Sequence, residues 1–309
     1  MKSALVGGGT GFLGSAVARR LIRSGYNVFI PTRYYSEKRR QVDPGGKGNN
    51  ITYLDANTDW HQVVADIEFE KIFHLAAANL VPSSFSDIEK IVDANITQGL
   101  KLALISSNQT LKPALIYAQS YWQFSEGGQV PVPNGVYAAL KHGFQKVAEV
   151  YRRKMNIPAI GLVVFDTYGE NDKRTKLLPC LAKLIADQKK GLTVNPLPMT
   201  DGTQEACFIH VDDAADAFVM AAENASRTDL NSEKSIFFLS EDQPTLLKEL
   251  INKLLADYDD PTTFVKWGAK QFRSEDVHVL AKGPKLPNWK PRRSIRGTFE
   301  NMVMGFEND

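Results

Sequence analysis

The chain has 309 residues, enough for one large α/β domain or for a cofactor domain with a smaller substrate domain. Its hydrophobic share of 43% and charged share of 23% are ordinary for a globular enzyme. A formal net charge of +2 argues neither for nucleic acid nor for an anionic membrane surface, and we expect neither as a partner. Two cysteines without metal-ligand spacing argue against a disulfide framework and a metal site. No apolar run reaches the roughly 20 residues of a membrane span. The first strand also leaves no room for a signal peptide, so we expect a cytoplasmic protein.

A glycine-rich turn follows the first apolar strand. Residues 3–6 form that strand, residues 7–14 read GGGTGFLG, and Leu13, Val17 and Leu21 then recur with helical spacing. Such a turn lets backbone N–H groups approach a pyrophosphate closely, and the helix N-terminus adds its partial positive charge. A glycine motif alone also fits a flexible loop, but the flanking strand and helix favour a dinucleotide site.

Strand-like and helix-like segments alternate through the rest of the first half, which is typical of βαβ units. The expected strands are 28–30, 51–54, 72–75, 114–117 and 160–165, and the long helices are 88–106 and 136–154. The later segments are a helix at 176–189, a strand at 206–210, helices at 211–224 and 246–258, and one helix after Pro291. We predict an α/β, Rossmann-type, doubly wound parallel sheet with a smaller C-terminal α/β substrate lobe. The cofactor domain would span 1–165 with a return at about 205–240, and the lobe 166–204 and 241–309.

Tyr137 and Lys141 lie four residues apart, on one face of a predicted helix. A free tyrosine has a pKa of about 10. A nearby ammonium and an oxidised nicotinamide would lower that pKa, so the phenol could exchange a proton with a substrate oxygen. Ser120, just past the fifth strand, would orient the same oxygen. Taken separately, the pair also fits a surface tyrosine with an exposed lysine, and Ser120 also fits a strand-end cap.

Together, the turn, Ser120 and the Tyr137/Lys141 pair resemble the extended short-chain dehydrogenase/reductase family (the NAD-dependent epimerase/dehydratase family), especially its nucleotide-sugar branch. Residues 74–77, 95–99, 166–169 and 208–213 resemble further motifs of that family, so the resemblance covers most of the chain. It implies cofactor contacts from Gly8, Gly11, Phe12, Leu13, Asp55, Ala56, Leu75, Ala76, Ala77, Tyr137 and Lys141. It implies substrate contacts from Trp122, Asp166, Thr167, Arg174, Lys176 and Leu177. It also implies a homodimer formed through the two long helices, although from the sequence alone these helices could equally be covered within the monomer.

Within the branch, residues 120–123 (SYWQ) and 165–169 (FDTYG) are similar to the synthases that reduce CDP-linked 4-keto sugars, such as CDP-abequose and CDP-paratose synthases. Family dehydratases carry an Asp-Glu pair after the catalytic hydroxyl, where this chain has Tyr121 and Trp122, so dehydration is disfavoured. Cys180 and Cys207 do not match the Cys/His pair of reductases that also epimerise. Ala206 replaces an arginine that binds the diphosphate in many relatives. Candidate replacements are Arg174, Lys176, Arg292 and Arg293, although each of them also fits simple surface charge.

The residues at the end of the second strand indicate which of the two nicotinamide cofactors, NAD or NADP(H), the protein binds. An Asp or Glu there would bind the ribose 2′-hydroxyl of NAD, but the sequence has Arg33, followed by the basic run at 38–40. A guanidinium pairs strongly with a phosphate, so we predict NADP(H) over NAD. Alternatively, Arg33 stacks on the adenine and does not discriminate between NADP(H) and NAD.

We therefore expect NADPH-dependent reduction of a keto group, at C4, on a nucleotide-linked deoxysugar. Tyr137 would supply the proton, Lys141 would lower its pKa and hold the nicotinamide ribose, and Ser120 would orient the carbonyl. The alternatives are a nucleotide-sugar 4-epimerase with tightly bound NAD, an NADP(H)-sensing binding module without catalysis, and a reductase of a non-sugar ketone. The sensing module would need no proton donor, so the intact set of three residues counts against it.

Overall fold

The computed structural model describes residues 2–32, 50–225, 235–240 and 244–308. In chain order the strands are β1 Ser3–Gly7, β2 Asn27–Thr32, β3 Ile51–Asp55, β4 Lys71–His74, β5 Ala114–Ser120, β6 Ala159–Val164, β7 Asp166–Tyr168, β8 Leu197–Pro198, β9 Glu205–Ala206, β10 Phe208–His210, β11 Ile236–Leu239, β12 Thr245–Leu246 and β13 Val265–Lys266. The α-helices are α1 Phe12–Arg23, α2 Trp60–Val63, α3 Phe85–Val92, α4 Gln98–Asn108, α5 Val136–Met155, α6 Leu177–Lys189, α7 Val211–Asn224, α8 Leu247–Leu255 and α9 Ile295–Asn308.

Seven of these strands form one sheet in the order β11-β6-β5-β4-β1-β2-β3, and every neighbouring pair is parallel. The chain leaves β1 towards β2 and β3, then returns to the other side of β1 to form β4, β5 and β6. Parallel sheets of this kind bind ligands outside the carboxyl ends of the strands, where the strand order reverses. The predicted Rossmann-type doubly wound fold is confirmed, and the reversal between β1 and β4 gives the position of the cleft.

Helices cover both faces of this sheet. On one face α1 packs against α7, with Val17 and Phe218 fully buried between helix and sheet. On the other face α4 and α5 pack on the central strands, with Leu102 and Phe144 buried. Because both faces are covered, the central strands are mostly apolar, and β1 is buried along its whole length.

A separate group of apolar side chains is formed by residues that follow β6. Leu181 of α6, Ile251 of α8 and Phe299 of α9 are buried in it, and β7 pairs with β10 beside it. The chain returns to the main sheet in between, because α7 packs on α1 and β11 pairs with β6. The division into two domains remains a prediction. In the described part of the chain, no helix has both the length and the apolar composition required to cross a bilayer.

The structure differs from the predicted elements in two places that matter for the site. Strand β5 extends to Ser120, so this residue ends the strand and does not follow it. The helix expected at 88–106 is divided between α3 and α4 by a π-helical turn, Asp93–Thr97. Within that turn the Asn95 amide donates to the carbonyls of Ala78 and Ile91, at 3.0 and 2.9 Å. A side chain that bonds the carbonyl four residues back competes with the helical hydrogen bond, which explains the irregular turn.

Candidate active site

A cleft of about 490 Å3 lies at the carboxyl ends of the central strands. The predicted site residues that line it are Gly8, Gly11, Phe12, Leu13, Ala56, Leu75, Ala76, Ala77, Ser120, Trp122, Tyr137, Lys141, Asp166, Thr167, Arg174 and Lys176. Residues from most of the chain's length thus converge on one surface. Leu177 lines only a second, adjoining cavity, and Asp55 lines neither.

The glycine turn packs so closely that side chains would not fit. A Cβ on Gly8 would overlap the backbone of Ala76, and a Cβ on Gly14 would overlap the carbonyl oxygen of Gly8. Gly8 has a φ of +83°, in the region that favours glycine. Helix α1 begins directly after Gly11 with no side-chain cap and no acidic residue in its first turn. The exposed backbone and the helix N-terminus therefore fit a pyrophosphate group.

Two elements position the three predicted catalytic side chains. Ser120 ends β5, and its Oγ accepts a hydrogen bond from the backbone N–H of Trp122 at 3.3 Å. Tyr137 and Lys141 lie one turn apart near the start of α5, and the Lys141 Nζ is 5.9 Å from the centre of the Tyr137 ring. Lys141 is almost fully buried, and its Nζ donates to the carbonyl of Ala76 at 3.2 Å. The Ala76 contact holds the ammonium beside the cleft.

Burial shifts the pKa values of this pair in opposite directions. It raises the pKa of Tyr137 to about 12, partly opposed by a hydrogen bond with Ser120. It lowers the pKa of Lys141 to about 8. The sequence predicts that Lys141 lowers the pKa of the phenol, but in the structure that pKa is raised by burial, and the opposing influence comes from the Ser120 hydrogen bond. Tyr137 is therefore protonated at neutral pH and can donate a proton.

A second cavity of about 210 Å3 adjoins the cleft, and we call the boundary that the two spaces share the neck. The residues that line both spaces are Tyr121, Trp122, Phe165, Asp166, Thr167 and Lys176. The Tyr121 ring stacks on Phe165 with 5.2 Å between centroids, and its hydroxyl donates to Asp166 Oδ2 at 3.1 Å. Burial raises the pKa of Asp166, and the positive charge of Lys176 opposes that shift. The neck therefore presents an aromatic wall, a carboxyl group and one exposed ammonium.

Arg174 lies on the side of the cleft formed by the glycine turn. Its Nε and Nη2 bind the two carboxylate oxygens of the buried Asp172, both at 2.7 Å. Its Nη2 also donates to the carbonyl of Thr167, and the guanidinium lies 4.0 Å from the centre of the Phe12 ring. Phe12 opens α1, so Arg174 contacts the glycine turn, and it does not line the second cavity.

Arg292 and Arg293, two of the candidates for binding the diphosphate, do not lie at the cleft. The backbone N–H groups of both residues and the Arg293 guanidinium bind Asp213, and neither arginine lines the cleft or the second cavity. Arg273, which the sequence did not single out, does line the second cavity and pairs with Asp276 at 3.3 Å. A lone arginine in a loop has no spacing signal, so only the fold reveals its place.

At the end of the cleft beside β2 and β3, Asp55 Oδ1 accepts hydrogen bonds from the backbone and side-chain nitrogens of Asn57, at 2.9 and 3.0 Å. The next residue, Ala56, lines the cleft together with Pro31 and Thr32 at the end of β2. Arg33 and the basic run at 38–40 lie outside the described residues. Within the described ranges, no group of three His, Cys, Asp or Glu residues is placed to hold a metal ion.

Comparison with known proteins shows the family. The model of the NAD dependent epimerase/dehydratase family matches residues 4–232. The UDP-glucose 4-epimerase of Lacticaseibacillus casei is 26% identical over 235 residues, covering 69% of this chain and 70% of that protein. The dTDP-L-rhamnose 4-epimerase of Burkholderia thailandensis is 24% identical, covering 97% of this chain and 93% of that protein.

Solved structures with the same fold include the UDP-N-acetylglucosamine 4-epimerase from Methanobrevibacter ruminantium, in complex with UDP-N-acetylmuramic acid. It superposes with a TM-score of 0.77 at 22% identity and covers 99% of this chain and 98% of that one. The UDP-glucose 4-epimerase of Thermus thermophilus, in complex with NAD, gives a TM-score of 0.75 at 20% identity, with 98% of both chains covered.

Proposed function

Because the chain belongs to the NAD dependent epimerase/dehydratase family, we propose that it is an NADPH-dependent reductase. Its substrate would be the C4 keto group of a nucleotide-linked deoxysugar. The carrying observation is the convergence of Ser120, Tyr137 and Lys141 on a cleft that also contains the glycine turn. The bound cofactor would supply the hydride. The chain's own residues supply the proton and hold the carbonyl oxygen.

The roles follow from the positions of the side chains. Tyr137 is protonated at neutral pH and partly buried, so it can give its proton to the oxygen of the keto group as that oxygen gains charge. Ser120 ends β5 in the same cleft, where its hydroxyl can hold that oxygen beside the phenol. The buried Lys141 ammonium is fixed by Ala76 and can bind ribose hydroxyls. Tyr121 and Trp122 carry no carboxyl group, which supports reduction over dehydration.

The second cavity supports a nucleotide-linked substrate. Lys176 at the neck and Arg273 beyond it are cations that can bind a diphosphate where Ala206 carries no charge. The Tyr121 and Phe165 rings offer an apolar wall between these cations and the reacting end of the cleft. The sugar would thus extend to the neck beside Asp166, the diphosphate would lie between Lys176 and Arg273, and the nucleoside would occupy the rest of the second cavity. The CDP-sugar branch rests on the motifs at 120–123 and 165–169.

Several predictions from the sequence remain part of the proposal. NADP(H) is preferred over NAD because of Arg33, which lies outside the described residues. The two-domain division is retained, with the substrate lobe formed by 166–204 and 241–309. A homodimer and a cytoplasmic location are also proposed.

A nucleotide-sugar 4-epimerase is the second candidate. The names of the relatives favour it, since the proteins from Lacticaseibacillus casei and Burkholderia thailandensis are both 4-epimerases. An epimerase of this kind would keep NAD bound and recycle it, whereas a reductase consumes NADPH. Tightly retained NAD in the purified protein would therefore favour the epimerase.

The first test is steady-state oxidation of NADPH and NADH with CDP-, dTDP- and GDP-linked 4-keto-6-deoxyhexoses. We expect turnover with NADPH. In Tyr137→Phe, which keeps the ring but removes the proton donor, we expect kcat to fall by about 100-fold or more. The Kd for NADPH should change little. Absence of turnover with every sugar and both cofactors would contradict the proposed reduction.

A further inference from the structure

The fully buried side chain of Gln123 holds the backbone of Ser120 from inside the protein. Gln123 ends the short 3₁₀ turn Tyr121–Gln123, and it lines neither the cleft nor the second cavity. Its Oε1 accepts a hydrogen bond from the Ser120 N–H at 2.9 Å. The Ser120 Oγ in turn accepts from the Trp122 N–H, which makes the reciprocal arrangement of a capping box. The last residue of β5 is thus held through both its backbone and its side chain.

The other end of the Gln123 amide is bonded to α5. Its Nε2 donates to Gln145 Oε1 at 3.4 Å, and the Gln145 Nε2 donates to Glu149 Oε1 at 3.1 Å. Gln145 is also buried, whereas the Glu149 side chain is partly exposed. A capping box uses only the oxygen of Gln123, so the bond to Gln145 does more than close the turn. It ties the end of β5 to the helix that carries Tyr137 and Lys141.

This chain of hydrogen bonds has one polarity, and the Glu149 carboxylate sets it. A glutamine amide can turn either its oxygen or its NH2 group towards a neighbour. A carboxylate only accepts, so the Gln145 NH2 group faces Glu149 and the Gln145 oxygen faces Gln123. The NH2 group of Gln123 is then used for Gln145, and its oxygen is left for the Ser120 N–H. Both amides are therefore paired at both ends, in a single orientation.

The orientation of Ser120 matters because its hydroxyl is hydrogen-bonded to the Tyr137 phenol. Ser120 stands on a strand and Tyr137 on a helix, so their contact depends on how these two elements are joined. Displacement of a reacting group by about 1 Å can cost about 100-fold in rate.

We propose that Gln123 is a positioning residue, which fixes Ser120 relative to α5 and so keeps the Ser120 hydroxyl beside the Tyr137 phenol. The proposal rests on the catalytic roles assigned in the proposed function. Gln123 acts only through Ser120, since it lines neither space in which a cofactor or substrate would bind.

The first measurement is hydrogen exchange at the Ser120 amide. It is followed by NMR in protein labelled with 15N-serine, and the signal is assigned by its loss in Ser120→Ala. In Gln123→Leu this amide loses its acceptor, so we expect its exchange to be about tenfold faster. Gln145→Leu leaves the capping box but removes its tie to α5, so exchange should be about threefold faster. Gln145→Leu carries the test if Gln123→Leu does not fold.

Gln109→Leu is the matched control. Gln109 is a buried amide whose oxygen accepts from the Phe69 N–H and whose NH2 group donates to the Ile67 carbonyl, at 3.0 and 2.7 Å. It lines neither the cleft nor the second cavity. Its loss should lower the melting temperature and leave exchange at Ser120 within about twofold of the wild type.

Steady-state kinetics, with the sugar and cofactor that turn over, measure the consequence for the reaction. We expect Gln123→Leu to lower kcat about tenfold or more and to leave the Kd for NADPH unchanged. Gln123→Glu keeps an oxygen for the Ser120 N–H, as in the usual capping box, so its kcat should stay within about threefold of the wild type. Gln109→Leu should also keep kcat.

Two results would overturn the proposal. One is exchange at Ser120 that is no faster in Gln123→Leu and Gln145→Leu than in Gln109→Leu. The other is faster exchange with an unchanged kcat. Faster exchange in these variants of a protein whose wild type turns over no sugar would contradict the proposed reduction instead, and would leave Gln123 as the residue that holds Ser120.

Discussion

Lys141 combines near-complete burial with a positive charge, and this combination has a cost in stability. Its pKa is about 8 in the folded protein and 10.5 ordinarily, so the unfolded chain holds the proton more tightly. The folded state therefore loses stability when the group is charged, below pH 8. That cost disappears as the pH rises from about 8 towards 10.5, and stability increases over this window.

We therefore predict that Lys141→Met abolishes activity but stabilises the fold. At pH 7 the free energy of unfolding should increase by roughly 1–3 kcal/mol, because burial of the ammonium is no longer required. Urea unfolding at pH 7 and at pH 10 measures the effect, and the difference from the wild type should shrink at pH 10. A variant that is less stable at pH 7 would show that the ammonium contributes to stability.

The carboxyl group of Asp166 predicts which sugars the neck accepts. The charge of Arg174 is offset by Asp172, so Asp166 is opposed mainly by the exposed Lys176. A sugar acid would bring a second carboxylate to this place. We expect a nucleotide-linked glucose to bind at least about fivefold more tightly than the matching glucuronic acid, since like charges repel at short range.

Asp166→Asn should remove that preference, because it keeps the shape of the side chain and removes the charge. Tyr121→Phe is the control, since it removes the hydrogen bond to Asp166 but keeps the carboxylate. Calorimetry with both sugars on each variant measures the ratio. An unchanged ratio in Asp166→Asn would mean that the carboxyl group only anchors Tyr121.

At the same scale, the sequence predicts Ser120, Tyr137 and Lys141 as a set because spacing and strand position mark them. It does not predict Arg273, since a single charged residue in a loop has no pattern until the fold places it at the second cavity. Arg293 shows the opposite error. Its charge suggested a phosphate, but in the fold its partner is Asp213, which lies far away in the sequence.

At the scale of elements, the close contact between the glycine turn and α1 shapes the proposed cofactor site. A methyl group on Gly14 would overlap the carbonyl oxygen of Gly8, so the helix must move away from the turn. We predict that Gly14→Ala weakens dinucleotide binding at least about tenfold and lowers the melting temperature. Calorimetric binding and thermal unfolding measure the two effects.

Gly305→Ala in α9 is the control, because a Cβ there would meet nothing within 4 Å. It should stabilise the protein by about 0.5–1 kcal/mol through helix propensity and leave dinucleotide binding unchanged. Equal effects of the two substitutions would contradict the close contact between turn and helix.

Helix α7 at 211–224 was predicted with both its ends, because a long apolar pattern follows the acidic pair Asp212 and Asp213. The two-residue strands β8, β12 and β13 were not predicted, since periodicity needs a longer run than two residues. The π-helical turn was also missed. The Asn95 side chain competes with the helix for the Ile91 carbonyl, and its second bond, to Ala78, depends on tertiary structure.

At the scale of the whole molecule, α3, α4 and α5 leave an apolar face uncovered in the single chain. Ile88, Leu104 and Val150 are exposed to 48%, 52% and 50%. Exposed apolar surface on neighbouring helices is typical of interfaces, and we propose that these helices form the homodimer that the family resemblance implies. We predict that Leu104→Glu combined with Val150→Glu gives a monomer in sedimentation analysis. Met304→Glu, at a residue exposed to 50% on α9, should leave the dimer intact. A wild-type monomer would contradict the prediction.

The central claim is net reduction of the sugar, and deuterium transfer from labelled NADPH tests it most directly. NADPH carrying deuterium at C4 of the nicotinamide, on one face or the other, is supplied with the 4-keto sugar that turns over fastest. We predict that one of the two labelled cofactors transfers its deuterium to C4 of the product, one deuterium for each NADPH oxidised. Tyr137→Phe should transfer at least about 100-fold more slowly. A product inverted at C4 without label, formed from the 4-hydroxy sugar with no NADPH consumed, would identify an epimerase and contradict the account.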